Sequence, residues 1–565
     1  MTNQIPTTDR RHSLQAGDTR SQRIGFAAVV LSVVMLGLYF YRSWLFTGFD
    51  GVFGDTGDAR ILIAILEHWH RWFAGLDPHW SDPIFFYPER GVLGFTDAYF
   101  LYALPYSLAR AAGIDPFRSF MVVMLLLSLI GTSTFYILAR RCLSASALTA
   151  LLGAALFGFA NMMALKIGHA QSYCVMLLPS AVLLSTAAWS SPRKPLGALL
   201  AASSGLLLAL MFFTAYLTAW FAATLAMLTF VIYAVIGGRP RMVTLSRRLF
   251  VERRPVTIGF VTGFALGLVP FLVLYVPVLL RGTARPFDEV QGFFPQLADI
   301  INPGADNIVW GRLLKSLGIA GIEGRQLGEV ELGYTPLLFA TFLATMLALL
   351  GGARRKLGVA GDVGLALALA VMLYWLVQLD WFGYRPWHVI WEYVPGAKGV
   401  RTTFRSQIVA LFASCVVVVI GLELLRHSGA SKTWLVWLVP VLALGLLTEQ
   451  LNRKSPPRFW RSEQIAWLAS LPPAPAACRA FYLSPGSGGT KEWWEIQSDA
   501  MIVSAVRGLP TLNGNSSWWP KGWQLNDLGD PSYPAKVAEW MRQNKLGPEV
   551  CALDLAAATW HPAAP

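Results

Sequence analysis

Long apolar runs recur along most of this chain, and they constrain its fold more than any other feature. Ile24–Phe40, Phe120–Ala139, Ala147–Met163, Val175–Ala188 and Leu199–Phe213 come first. Tyr216–Ala234, Ile258–Leu280, Pro336–Leu350, Val363–Val377, Ile408–Leu422 and Trp434–Leu447 follow, eleven in all. With their semi-polar flanks most approach the roughly 20 residues that cross a hydrocarbon core as a helix. Core helices of a soluble protein are shorter and amphipathic, and such proteins carry about 25% charged residues against 14% here. The chain therefore reads as a polytopic all-α membrane protein of about eleven transmembrane helices. The first run is long and has no small-residue cleavage pattern, so it is not a cleavable signal peptide.

Lys and Arg give the orientation. They gather at Arg10, Arg11, Arg20 and Arg23, then at Arg140–Arg141, Arg193–Lys194, Arg354–Arg355–Lys356, Arg426 and Lys432. The densest group is Arg239, Arg241, Arg247, Arg248, Arg253 and Arg254. Eleven spans put every cluster on the side of the N-terminus, which the positive-inside rule makes cytoplasmic. The net charge of +13 is then a topology signal and a contact for anionic lipid, and no nucleic-acid partner is needed. The division that results is a disordered cytoplasmic tail over 1–23, a transmembrane domain over 24–450 and an exterior domain over 451–565. Long exterior loops fall at 41–118, 281–332 and 378–404.

The first of these loops opens with GDTGDAR at 54–60. A carboxylate at a membrane surface can take the proton of an attacking hydroxyl or hold a divalent metal beside a phosphate. Asp55 and Asp58, three apart, can converge if the segment starts a helix, with the glycines giving room to turn. The plainer role is a cap, with Thr56 or Asp58 starting the next helix. That stretch, Ala59–Phe73, predicts an amphipathic helix in the interface with Trp69 and Trp72 at headgroup level. Phe85–Phe86–Tyr87 follows between prolines, with Tyr87 a candidate substrate contact. Tyr99–Ala112 is apolar but short and broken by Pro105, so it reads as re-entrant or interfacial.

The second loop carries Arg281, Arg285, Asp288, Glu289, Glu323, Arg325, Glu329 and Glu331, of which Glu331 is a candidate substrate contact. In the third, Arg401 and Arg405 stand four apart before a span, and a helix would put both on one face. They either snorkel to lipid phosphates or clamp an anionic ligand such as a phosphate, for which the guanidinium fork is suited. His169, in KIGHAQ beside Lys166, is either a stray interfacial histidine or a ligand contact. His68 and His70 would point apart on a helix, which makes a metal cluster there weak.

After residue 450, CRAFYLSP and VCALDLA read as strands, and IQSDAMIVSAVRG and YPAKVAEWMRQNKLG as helices stopped by Gly508 and Gly547. GLPTLNGNSSWWPKGW joins them as an aromatic loop facing acceptor or membrane. The result is a small exterior α/β domain. Cys478 and Cys551 lie near its two strands and can pair in an oxidising compartment.

GDTGDAR with LEHWHRWFAG, then FFYPERG, KIGHAQ and RTTFRSQ, and in the tail LLTEQLN and GLPTLNG, resemble the GT-C integral-membrane glycosyltransferases of bacteria. The resemblance implies transfer of a sugar from a polyprenyl-phosphate donor to an envelope glycan, lipid or protein acceptor, on the exterior face of a bacterial inner membrane. It maps the catalytic aspartate onto Asp58 or Asp55 and the donor-phosphate site onto Arg401 and Arg405. The DxxD spacing, in place of a tight DxD, leaves both a divalent metal cofactor and the identity of the base open. Two other classes share the apolar pattern: a transporter or flippase of a lipid-linked or anionic substrate, and a non-catalytic scaffold for envelope polysaccharide assembly. Transporters place charge at mid-bilayer, whereas here the acids and arginines gather in loops.

Overall fold

A computed structural model describes residues 15–281, 285–322, 327–428, 435–454, 456, 458–487, 489 and 491–562. Most of the 1–23 tail lies outside the described residues, as do Arg10, Arg11, Glu323, Arg325 and Lys432.

Among the described residues nine helices are long and apolar enough to cross a membrane. They are Pro116–Cys142, Ala147–Leu165, Ala170–Ser190, Lys194–Thr214, Tyr216–Ile236, Arg254–Leu280, Pro336–Leu357, Val359–Gln378 and Thr403–His427. The first and last apolar runs form the shorter apolar helices Gly25–Phe40 and Leu438–Thr448. The chain is thus a largely helical polytopic membrane protein, with nine rather than eleven full-length spans among the described residues.

Local chemistry marks the helix ends. Asp115 caps the first long span, accepting the N–H groups of Phe117 and Arg118 ahead of Pro116. Ser146 does the same for Thr149. Glu449 of the LLTEQLN stretch is buried and caps the Pro336 helix from another element. It accepts the N–H groups of Leu337 (2.9 Å) and Leu338 (2.7 Å), the Thr335 hydroxyl (2.5 Å) and the Trp310 indole (2.8 Å). The Lys194–Thr214 and Arg254–Leu280 helices pack along small residues. A Cβ on Gly205 would stand 2.2 Å from the Phe260 carbonyl and one on Gly263 2.0 Å from that of Ala202, so only glycine admits this approach.

The basic connections meet one another. Arg253 donates to the Ser191 carbonyl (2.7 Å). Arg241 pairs with Asp362, which also lies 4.0 Å from Arg354. Arg426 pairs with Glu423 (3.1 Å), whose other oxygen accepts the Ser146 N–H.

The C-terminal unit holds a three-stranded sheet in which Ala480–Leu483 runs parallel to Val550–Asp554 and Thr559–Pro562 pairs antiparallel to the latter. Cys478 and Cys551 are joined by a disulfide beside it, with Cα atoms 5.7 Å apart. The helices are Trp493–Arg507, ended by Gly508 at φ 67°, and Tyr533–Gln543, which stops before Gly547. This unit docks on the first loop. Gly51–Phe53 pairs antiparallel with Arg458–Trp460, and Ile84–Tyr87 exchanges backbone hydrogen bonds with Thr511–Asn513. One buried cluster runs through both.

The Trp493 helix covers the Asp58–Phe73 helix, which corrects the expectation of an interfacial helix. Trp69 is 1% exposed, and its indole donates to the Ala98 carbonyl (2.6 Å). Its apolar face meets protein, since the C-terminal unit and the Phe100–Ala111 helix pack on it.

Candidate functional site

Gly54 and Gly57 give GDTGDAR its shape. Gly54 has φ +105°, and a Cβ there would lie 2.4 Å from that of Ala59. A Cβ on Gly57 would run into the Trp494 ring at 2.3 Å. The chain makes a tight turn in which the Asp55 carboxylate accepts the Gly57 N–H (2.9 Å), and the helix begins at Asp58. Arg60, 2% exposed, locks this start. It donates to the Thr56 carbonyl and pairs with buried Asp499 of the C-terminal unit, whose second oxygen takes Lys491 (2.7 Å).

Asp58 thus stands at the head of a helix with half of its side chain open. The N-cap is Gly57, which has no side chain to cap with, and Asp58 is the acid of the first turn, where the helix dipole favours its charge. Crowding by protein and the neighbouring Asp55 carboxylate raise its pKa, against the opposing pull of Arg405, Arg401 and Lys166.

The KIGHAQ turn faces it. His169 Nε2 lies 3.4 Å from Asp58 Oδ2 and 4.0 Å from Glu329 Oε1. Burial, with Arg405 and Lys166 close by, pushes the His169 pKa down to about 3, so the ring is neutral near neutral pH. Lys166, buried, reaches Glu329 Oε2 (3.0 Å), and its pKa falls to about 8. Arg405 holds both Glu329 oxygens in a fork, at 2.9 and 2.5 Å. Despite burial, these cations hold Glu329 ionised, with a pKa down to about 2.

The two arginines do not share a helical face. Arg401 sits in a bend, Thr403–Ser406 is a 3-10 turn, and the helix begins only at Gln407. Arg405 points to Glu329, while Arg401 stays half-exposed, 3.8 Å from Glu289 and over the Phe293 ring. Both nonetheless line one cavity of about 780 Å³. Its walls are apolar and come from three long helices, with Phe212 from the first, Trp220 from the second, and Phe264 and Phe271 from the third. Its charged lining consists of Asp97, Arg285, Glu392, Lys398, Arg401 and Arg405, with Thr402 beside the arginines. Two donors there, the Thr402 hydroxyl and the Trp391 indole, have no acceptor among the described residues.

Glu331 and Tyr87 lie apart from this cluster. Glu331 accepts the Gly321 N–H (3.2 Å) and braces its own loop. Tyr87 belongs to the seam with the C-terminal unit, its carbonyl taking the Trp540 indole (3.0 Å). His68 is bonded to Asp77 and to the Trp80 carbonyl. Asp97, a lone acid between aromatics in GFTDAYF, carries no stronger signal in sequence, and of the two loop glutamates it is Glu329, not Glu331, that meets Arg405.

Among the described residues no three His, Cys, Asp or Glu side chains converge on a point. The Glu329 oxygens are committed to Arg405 and Lys166.

No protein-family description matches the chain, and no curated protein matches it. Among solved structures it is similar to the Archaeoglobus fulgidus oligosaccharyltransferase. The apo form is 12% identical with a TM-score of 0.46, over 86% of this chain and 64% of that one. The complex with Zn and sulfate is 13% identical with a TM-score of 0.47, over 86% and 62%. The chain thus spans less than two thirds of that protein's length. ArnT from Cupriavidus metallidurans bound to undecaprenyl phosphate is 12% identical with a TM-score of 0.34, over 86% of this chain and 85% of that one.

Proposed function

We propose that this chain is a GT-C-type membrane glycosyltransferase that takes a sugar from a polyprenyl-phosphate donor. The observation that carries the reading is the cavity: apolar walls from three membrane-length helices, ending at three arginines and two unpaired donors. An amphiphile with an anionic head has that chemistry. Its isoprenoid tail lies along Phe212, Phe264 and Phe271, and its phosphate meets Arg401, Arg405, Thr402 and Trp391.

Asp58 is the base in this reading. It takes the proton of an acceptor hydroxyl, and its raised pKa makes it the stronger acceptor of that proton. The hydroxyl oxygen attacks the sugar C1, the C1–O bond to phosphate breaks, and the lipid phosphate leaves with the bonding electrons. Arg401 and Arg405 offset the charge that develops there. Neutral His169 fixes the Asp58 carboxylate, and Asp55 raises its basicity. The acceptor is an envelope glycan, lipid or protein. It approaches from the exterior side of a bacterial inner membrane, with the meeting basic connections and the N-terminus on the cytoplasmic side.

The test is sugar transfer in vitro from a set of polyprenyl-phosphate sugars, comparing wild type with Asp58→Asn and Asp55→Asn. Asp58→Asn is expected to lower the rate by about 10²–10⁴-fold, the usual contribution of a general base, and Asp55→Asn by less. Undiminished transfer in both variants sinks the mechanism. Cysteine labelling at 239–254 only from the cytoplasmic side tests the orientation.

A further inference from the structure

Asp97 has no role in the mechanism above, yet it lines the same cavity as Arg285, Arg401 and Arg405. Its place is rigid. The Thr96 carbonyl takes the Tyr275 hydroxyl (2.7 Å), the Ala98 carbonyl takes the Trp69 indole (2.6 Å), and the Tyr99 N–H reaches the Thr214 carbonyl (3.0 Å). One carboxylate oxygen, Oδ1, accepts the Tyr216 N–H at 2.9 Å. Oδ2 has no hydrogen-bond partner among the described residues.

An ionised carboxylate in that position repels any anion entering the cavity, so binding favours the loss of one such charge. The groups facing Asp97 show which one yields. The phenols of Tyr99, Tyr102 and Tyr275 and the thiol of Cys174 lie near it, and burial raises the pKa of Tyr99 and of Tyr102, which keeps those two uncharged. Arg405 alone pulls on it through space, and that guanidinium is already held by Glu329. Around the cavity mouth, Lys398 is paired with Glu392, and Arg285 with Glu289, which Arg401 also approaches. The Tyr216 N–H and Arg405 favour the charged form, but burial outweighs them and lifts the Asp97 pKa to about 6.

We propose that Asp97 is the proton-carrying group of this cavity: its carboxyl takes up a proton from solvent as an anionic headgroup enters, and its Oδ2–H donates to an oxygen of that headgroup. The inference rests on the reading of the cavity as a phosphate site and adds a protonation that favours such binding. A phosphodiester donor is a monoanion that does not titrate near neutral pH, so the proton is taken up by the protein.

The experiment is titration calorimetry of the full-length protein in detergent, in two buffers of different ionisation enthalpy. The probe is the methyl diester of farnesyl phosphate, which has no titrating proton of its own. At about pH 7.5 wild type is expected to take up close to one proton per diester bound. The Kd then rises about tenfold per pH unit above the Asp97 pKa. Asp97→Asn keeps an N–H donor where the carboxyl carried its proton, so its Kd is flat with pH and its proton uptake is absent. Binding to wild type without proton uptake overturns this inference alone, with or without a folded variant. The wild-type pH slope persisting in Asp97→Asn does the same. Absence of diester binding to wild type overturns the phosphate reading itself, and this inference with it.

Discussion

Arg405 grips Glu329 in a two-pronged ion pair, at 2.9 and 2.5 Å, and Lys166 approaches the same carboxylate at 3.0 Å. Two cations thus share one anion beside the cavity, leaving net positive charge where a phosphate is proposed to dock. Arg405→Ala is expected to insert into the membrane normally and to weaken binding of a polyprenyl phosphate about 10–100-fold, the loss of one or two charge-assisted hydrogen bonds. Unchanged binding in a filter or calorimetric assay contradicts the clamp.

The same pair sets an acid limit. Glu329 has a folded pKa of about 2 against an ordinary 4.5, so its stabilisation is complete above about pH 4.5 and is lost as pH falls toward 2. That shift corresponds to about 3 kcal/mol, and Glu329→Gln should flatten this part of the stability-versus-pH curve. His169, depressed to about 3, should contribute no inflection to the rate profile between about pH 5 and 8. A rate inflection near pH 6.5 that vanishes in His169→Gln argues against the neutral ring.

Arg60 and Asp499, both almost wholly buried, tie the Asp58 helix to the C-terminal unit. Removing one partner strands a buried charge, which costs about 3–5 kcal/mol. Arg60→Met alone should therefore lower the melting temperature more than Arg60→Met with Asp499→Leu and Lys491→Met together. Equal losses would show that the pair carries no coupling.

Gly57 gives a test of position rather than charge. Gly57→Val drives a side chain into the Trp494 ring, displacing either the turn or the C-terminal helix. Sugar transfer should fall, and Trp494→Ala should restore part of it by opening the space. No recovery in the double variant places the fault elsewhere.

The Cys478–Cys551 bond spans 73 residues, and closing such a loop limits the unfolded chain by about 4 kcal/mol. Cys478→Ser should lower the melting temperature of the C-terminal unit, with no further loss on adding Cys551→Ser. A clear additional loss would mean that the two cysteines act separately.

Much of the membrane architecture was legible because apolarity over some twenty residues is a local property. Each long apolar run became a helix, and the positions of Arg and Lys marked which connections lie together. Two strands of the C-terminal unit, Ala480–Leu483 and Val550–Asp554, were legible from short apolar runs between turn residues, while Arg458–Trp460 and Thr559–Pro562 were not. The fate of the Asp58–Phe73 helix was not. Its amphipathic pattern states that one face is buried but not what buries it, and the C-terminal unit took the place assigned to lipid.

The candidate site divides in the same way. Asp58, His169, Arg401 and Arg405 could be chosen from residue type and from their place near predicted span ends. Glu329 and Glu331 are two apart in one loop and alike in chemistry, and only the path of that loop turns the first toward Arg405 and the second toward Gly321. Asp97 is a solitary acid in sequence. It becomes a cavity group because the Tyr216 and Arg254 helices bring apolar walls around it. The sequence by itself determined a many-helix membrane chain with acids and arginines gathered in its loops, since hydrophobic length and charge placement are read residue by residue. Tertiary structure decided which of those charges meet, because ion pairing and burial depend on groups far apart in sequence, 76 residues for Arg405 and Glu329 and 439 for Arg60 and Asp499, arriving within about 4 Å of one another.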